Sequence, residues 1–194
     1  GGERITSITG LFSGSLDGDG HTFRNFIVKD KPIFGNLYSA NQVQPCEVKN
    51  LTLSNVTVDG AASILSEGNV SSNIKVSNVH IHKATVNDCS SNGFAAFATQ
   101  TGVNSEFIGC SVNIDFNRPE AEHFGGIVAE LNRGGKITAC NVTGTVKAGA
   151  YVGGIAKATN TTENTISDCH VNLEIEGANT IGGIVADADR GIVV

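Results

Sequence analysis

The chain has 194 residues, of which 24 are glycine, and its charged share of 16% lies below the ~25% of an average soluble protein. The apolar share of 40% is enough for a core and excludes an intrinsically disordered chain. The formal net charge of −6, without any cluster of Lys or Arg, argues against a nucleic-acid partner, and no run of about 20 apolar residues could span a membrane.

A short strand-like motif recurs along the chain and is the strongest signal in the sequence. Its copies occupy residues 23–28, 48–53, 76–81, 107–112, 137–142 and 166–171, with equivalent middle residues Phe26, Leu51, Val79, Cys110, Cys140 and Cys169. Successive middle residues are 25, 28, 31, 30 and 29 positions apart. Apolar and polar residues alternate after several copies, as in 171–175, which is the period of a half-buried strand.

Repeats of about 29 residues that are strand-like throughout predict a right-handed, single-stranded parallel β-helix (a β-solenoid) of about six coils. Each copy would form one coil, and no segment shows a sustained helical period. A β-sandwich is the alternative, although its strands need not repeat in sequence. We predict one β-solenoid domain over residues 1–194, cut from a longer protein because the apolar end Gly191-Ile-Val-Val is not a polar cap.

Glycine pairs and cysteines occupy regular places in the later copies. The pairs lie in 124–129, 152–156 and 181–186, where they would permit a bend or a close approach of neighbouring backbone. Cys110, Cys140 and Cys169 fall at in-pointing positions, so we expect a stack of buried, reduced thiols. Cys46 and Cys89 lie in turn-rich stretches, and whether they are paired stays open at this point.

The segment 14–26 (Gly-Ser-Leu-Asp-Gly-Asp-Gly-His-Thr-Phe-Arg-Asn-Phe) resembles the opening motif of GLUG repeats in bacterial surface proteins. Ile33-Phe34-Gly35 is similar to the Gly-Leu-Phe-Gly element of those repeats, and the later V-x-N-L-x-L and V-G-G-I-V-A elements resemble the remainder. Such repeats occur in secreted adhesin-like proteins and beside the protease domain of immunoglobulin-A-cleaving metalloproteases. The resemblance therefore implies a secreted or cell-surface, elongated and non-catalytic module.

The repeat is interrupted between Asn117 and His123, and insertions in solenoids are typical places for binding loops. Four residues of this loop are the predicted ligand contacts, with a host glycan or an extracellular protein as the partner: Arg118, Glu120, Glu122 and His123. The segment 89–104 is the second candidate, although its Phe94 and Phe97 are expected in the core.

No catalytic residue, cofactor or metal site is predicted. Asp17-x-Asp19-Gly20 begins like a calcium loop, but Val28 stands where the bidentate Glu would be. His80 and His82 are expected to face solvent, and His21 to serve its turn.

Three functional hypotheses remain from the sequence. The first is an adhesive or presenting rod, and the second is a structural spacer beside a secreted protease domain. The third is a carbohydrate-active enzyme, which requires two carboxylates within about 10 Å of each other in one groove. The out-facing columns that start at Thr52 and Ser54 are mostly neutral, which disfavours the enzyme.

Overall fold

A computed structural model describes residues 3–5, 8–39, 43–68, 72–90 and 92–193. These ranges contain no helix, and so none that could cross a membrane. Their strands are β1 (Glu3–Ile5), β2 (Ile8–Phe12), β3 (Ser15–Asp17), β4 (Thr22–Lys29), β5 (Phe34–Leu37), β6 (Cys46–Asp59), β7 (Ile74–Asp88), β8 (Phe94–Ala95), β9 (Ala98–Gln100), β10 (Glu106–Ile108), β11 (Ser111–Arg118), β12 (His123–Gly125), β13 (Val128–Leu131), β14 (Lys136–Thr138), β15 (Asn141–Ala148), β16 (Tyr151–Gly153), β17 (Ala156–Ser167), β18 (His170–Glu176), β19 (Thr180–Gly182) and β20 (Val185–Val193).

The strands of successive coils stack in parallel and in register. Strand β11 pairs with β15 from Ser111↔Asn141 onwards, and β15 pairs with β18 from Asn141↔His170 onwards, which are offsets of 30 and 29 residues. Every ladder between the described strands is parallel, so the sandwich alternative is wrong. The predicted β-solenoid of about six coils with a spacing of about 29 residues is confirmed.

Each regular coil contributes four strand segments to four faces of the solenoid. In the fifth coil these are β14, β15, β16 and the first part of β17. The first two segments are fused in the long strands β6 and β7, whereas the third segments form a separate four-stranded sheet in the order β19-β16-β12-β8. The fourth segments β9, β13 and β17 lie side by side and turn the chain into the next coil.

A column of left-handed residues bends the chain between the first and second faces. Its members are Asn50, Asn78, Gly109, Ala139 and Asp168, with φ between +53° and +62°. Asparagine, aspartate and glycine tolerate this conformation better than other residues. The Asn78 Nδ2 group also donates a hydrogen bond to Asn50 Oδ1 at 2.9 Å, so the bend is tied from one coil to the next. This explains the asparagine that recurs in the sequence motif.

The in-pointing column after this bend corrects one part of the predicted alignment. Leu51 pairs with Val79, and the column continues through the three cysteines, as expected. Phe26 instead pairs with Val56 on the second face, so its predicted place beside Leu51 is wrong. The reason is that Phe23-x-x-Phe26 imitates the motif while lying in the following strand segment. The column of Leu51 and the column of Val56 nevertheless both point into the core, where Phe26 is buried.

Candidate functional site

The predicted binding loop holds an ion-pair cluster at the end of β11. The Arg118 Nη1 group donates to the Asn87 carbonyl oxygen at 2.9 Å, and Nη2 lies 2.8 Å from Asp88 Oδ1. Nη2 also forms an ion pair with Glu120. Arg118 and Glu120 are therefore brought together, and the guanidinium ties the loop to the preceding coil. Glu122 remains exposed to solvent in the same loop.

His123 belongs to a different feature, a surface groove of about 590 Å³. The groove, which we call the corner groove, runs across several coils where the third and fourth faces meet. Its described lining consists of Asn36, Ala62, Glu67, Gly68, Ser90, Asn92, Gly93, Thr99, Gln100, His123, Ala129 and Glu130. Five of these residues come from the second candidate segment: Ser90, Asn92, Gly93, Thr99 and Gln100. Phe94 and Phe97 of that segment are fully buried in the core as expected.

Small residues lie at the sharp corner beside this groove. Phe124 is fully buried in the core, and the next residue, Gly125, is buried as well. A Cβ atom on Gly125 would lie 2.7 Å from the Val128 carbonyl carbon, which means that the chain folds back sharply at this point. The equivalent positions of neighbouring coils are Ala95, Gly153 and Gly182. The predicted role of the glycine pairs, a bend with close backbone approach, is confirmed.

One wall of the groove carries a polar column with one residue per coil. Gln100 pairs with Glu130, and the bridges Phe34↔Ser66 and Ser66↔Ala98 place Asn36 and Gly68 at the same level. Among the described residues, the side chains of Asn36, Gln100 and Glu130 have no hydrogen-bond or ion-pair partner. These amide and carboxylate groups are therefore available to a ligand.

His123 lies against the opposite wall, where its ring packs over Gly93. A Cβ atom on Gly93 would lie 2.6 Å from ring carbons of His123. Burial lowers the pKa of His123 below its ordinary value of 6.5, the positive charge of Lys157 lowers it further, and Glu122 opposes the shift. The imidazole is thus neutral at pH 7 and can both donate and accept a hydrogen bond.

The lowered pKa of His123 makes stability depend on pH. Between the native pKa and 6.5 the unfolded chain binds more protons than the native chain, so His123 reduces stability as the pH falls through this window. We expect thermal midpoints of wild type to fall more steeply from pH 7 to pH 5 than those of His123→Gln. Superimposable midpoint curves for the two proteins, measured by circular dichroism, would contradict the assignment.

A second groove, the sheet groove, of about 420 Å³, lies on the outer face of β11, β15 and β18. Its polar lining residues are Asp115, Asn117, Thr145, Lys147, Glu174 and Glu176. Asp115 and Glu174 are two strands apart, or about 9.6 Å between backbones. The Thr145 hydroxyl donates to Asp115 Oδ1 at 2.9 Å, and Lys147 Nζ donates to Glu176 Oε1 at 2.9 Å. Most of these polar side chains therefore already form hydrogen bonds with one another.

These carboxylates were not predicted from the sequence. The out-facing columns that start at Thr52 and Ser54 are mostly neutral as expected. Asp115 and Glu174 lie in the next out-facing column along the same strands, which is level with Thr57 and Thr85. Extending the alternation of out-facing positions by one step would have found them.

The cysteines are all free, including Cys46 and Cys89, which are both buried. The stacked thiols of Cys110, Cys140 and Cys169 donate to backbone carbonyls, for example Cys169 Sγ to Ser167 O at 3.2 Å. The neighbouring thiol of Cys110 and burial raise the pKa of Cys140 to about 12. The contact with Cys140, followed by burial, raises the pKa of Cys169. Cys110 and Cys140 are buried as expected, whereas Cys169 is only partly buried. All three thiols are unpaired as expected, and the protonated thiols of Cys140 and Cys169 are poor nucleophiles.

The Asp-rich turn near the N-terminal end is occupied by its own polar groups. Asp17 Oδ1 accepts hydrogen bonds of 3.0 Å from the Asp19 backbone and from Asn50 Nδ2, and these bonds lower the pKa of Asp17. The His21 ring donates to the Gly18 carbonyl at 2.9 Å, so this histidine serves its turn. Within the described ranges no group of three or more His, Cys, Asp or Glu side chains is arranged to hold a metal ion.

The two neighbouring histidines of β7 lie on the outer face, as the alternation predicts. His82 is exposed, whereas His80 is half-buried. The His80 Nε2 group donates to Asn78 Oδ1 at 2.8 Å, and Nδ1 lies 2.9 Å from the Ser111 hydroxyl. His80 therefore extends the row of side-chain hydrogen bonds that Asn50 and Asn78 form at the bend between the first and second faces.

Comparison with known proteins finds no family model, no curated protein and no solved structure that matches this chain.

Proposed function

We propose that this chain is a non-catalytic extracellular module, an adhesin-like rod that presents the corner groove to a ligand. The observation that carries the proposal is a column of polar side chains without a partner among the described residues: Asn36, Gln100 and Glu130, which lie on three of four successive coils. Binding groups fixed on stacked strands lose little conformational entropy when a ligand arrives. The resemblance of segment 14–26 to GLUG repeats supports the secreted or cell-surface location.

The corner groove suits binding better than the predicted loop does. In the loop, the Arg118 guanidinium already bonds to Asn87, Asp88 and Glu120. Breaking these contacts to bind a ligand would cost stability. In the groove, Glu130 and Gln100 have no ion pair or side-chain hydrogen bond with another described residue that would have to be broken before they meet a ligand.

A glycan and extracellular-matrix array, probed with the N-terminally tagged chain, tests this proposal. We expect reproducible hits for wild type, and at least a roughly tenfold weaker signal for Gln100→Ala and Glu130→Ala, since each removes a hydrogen-bonding group from the groove. Glu122→Ala is the matched control, because this glutamate is exposed in the loop outside the groove. Loss of binding in the control alone would place the site in the loop, and a blank array would favour the structural spacer.

A carbohydrate-active enzyme is the second candidate, and the sheet groove is the observation that favours it. Asp115 and Glu174 lie about 9.6 Å apart by strand spacing, near the separation that inverting glycosidases use. Against this reading, Asp115 already accepts a hydrogen bond from Thr145. Release of reducing ends from a polysaccharide panel by wild type, absent in Asp115→Asn, would favour the enzyme over the binding module.

A further inference from the structure

We infer that the corner groove takes an uncharged or amine-bearing oligosaccharide and rejects anionic glycans. This inference rests on the proposed binding function and adds the chemical class of the ligand. It follows from three properties of the groove: its charge, the lack of large apolar side chains among its described lining residues and its direction across the coils.

The charge of the groove is negative and is not compensated within it. Glu67 and Glu130 contribute carboxylates, and none of the described lining residues is Lys or Arg. His123 adds no positive charge at pH 7, because burial lowers its pKa. Lys157 acts on His123 from outside the lining, and its Nζ lies 5.6 Å above the Tyr151 ring. A uronate or sulfate would therefore meet two carboxylates, with Lys157 as a counter-charge only beside His123, whereas an ammonium group would be attracted.

The remaining surface favours a saccharide over a peptide. The apolar side chains among the described lining residues are the methyl groups of Ala62 and Ala129, which offer no pocket for an aromatic or aliphatic anchor. Strand addition by an extended peptide is also disfavoured, since Ala98, Val128 and Ala156 already pair with one another coil by coil. Amides, carboxylates and hydroxyls without apolar anchors are suited to the hydroxyl groups of sugars.

The groove runs along the axis of the solenoid, which fits a chain-like ligand. Asn36, Gly68, Gln100 and Glu130 lie on four successive coils, or about 14 Å from first to last at the strand spacing. Only glycine fits at position 68, because a Cβ atom there would fall on the Gln100 backbone. Gly68 therefore adds no side chain to the middle of this column. A short oligosaccharide could therefore contact Asn36 at one end and Glu130 at the other.

Calorimetric titration of the full chain with three hexasaccharides tests the inference: chitosan hexamer, maltohexaose and hexagalacturonate. We expect chitosan hexamer to bind most tightly, maltohexaose to bind more weakly and hexagalacturonate to show no binding. Glu130→Gln should weaken chitosan binding roughly tenfold through the loss of a charge-assisted hydrogen bond, with little effect on maltohexaose. Glu163→Gln serves as the control, because Glu163 is exposed and lines neither groove, so the substitution removes the same charge elsewhere on the surface.

The outcomes separate this inference from the proposed function. Binding of hexagalacturonate at least as tight as that of chitosan hexamer overturns the inference but leaves a binding module. Equal effects of Glu130→Gln and Glu163→Gln also overturn it, since they indicate attraction by net charge alone. If no saccharide binds while the array identifies a protein ligand, the ligand class is wrong and the function stands. A blank result in both experiments contradicts the proposed function itself.

Discussion

Replacing Gly126 with Ala is expected to lower the thermal midpoint by roughly 6–12 °C, corresponding to about 3 kcal/mol of stability in a chain of this size. The added Cβ atom would fall on the carbonyl oxygen of Gly154 in the next coil and would lie 2.8 Å from Val142 Cγ1. Because the first of these atoms is backbone, a side-chain rotation cannot relieve the clash, and two stacked coils have to separate. Thermal unfolding followed by circular dichroism measures this effect.

Gly183→Ala is the matched control, because Gly183 occupies the same position of the glycine pair two coils later. A Cβ atom on Gly183 would meet nothing within 4 Å. We expect its midpoint to stay within about 2 °C of wild type, as for most substitutions without steric conflict. Equal losses in both variants would show that the glycines are needed for local backbone conformation rather than for close stacking of the coils.

Replacing Phe116 with Ala should be the most damaging change in the core. Its ring centroid lies 5.6 Å from that of Phe94 and 5.1 Å from that of Phe124, and all three side chains are buried. Truncating a buried Phe costs about 3–5 kcal/mol, because apolar contacts are lost and a cavity is left. The trio bridges neighbouring coils, so we expect a thermal midpoint lower by roughly 6–20 °C.

The control for Phe116 is Phe23→Ala, since the Phe23 side chain is 54% exposed. This substitution removes the same atoms but opens no cavity, and it should change the midpoint by less than about 2 °C. A Phe23 variant as unstable as the Phe116 variant would mean that the second face is packed in a different register from the one described.

The fold could be predicted from the sequence because the later coils are nearly identical in length. Cys110, Cys140 and Cys169 stand at offsets of 30 and 29 residues, and in-register stacking places equal positions above one another. The prediction failed at Phe26, where the strand segments of an earlier coil differ in length and the apolar spacing of one face imitates that of the other. Period-two alternation identifies which residues point inwards, but it does not distinguish two faces that both alternate.

The corner groove could not be predicted in the same way. Asn36, Gln100 and Glu130 share no motif and are separated by 64 and 30 residues, so only the register between coils shows that they belong to one column. His123 was predicted among the binding residues, but because it ends the loop rather than because it lines the groove. The glycine pairs were the available signal, since they mark the corner on which the groove is built.

The claim that the corner groove is the binding surface is tested most directly by hydrogen–deuterium exchange of the full chain with saturating chitosan hexamer. We expect slower exchange in peptides covering Ala98–Gln100 and Val128–Leu131, which carry Gln100 and Glu130. Peptides covering Ser111–Arg118 and His170–Glu176, which form the sheet groove, should exchange as in the free protein. Protection confined to Ser111–Arg118 and His170–Glu176 would contradict binding in the corner groove and place the ligand in the sheet groove.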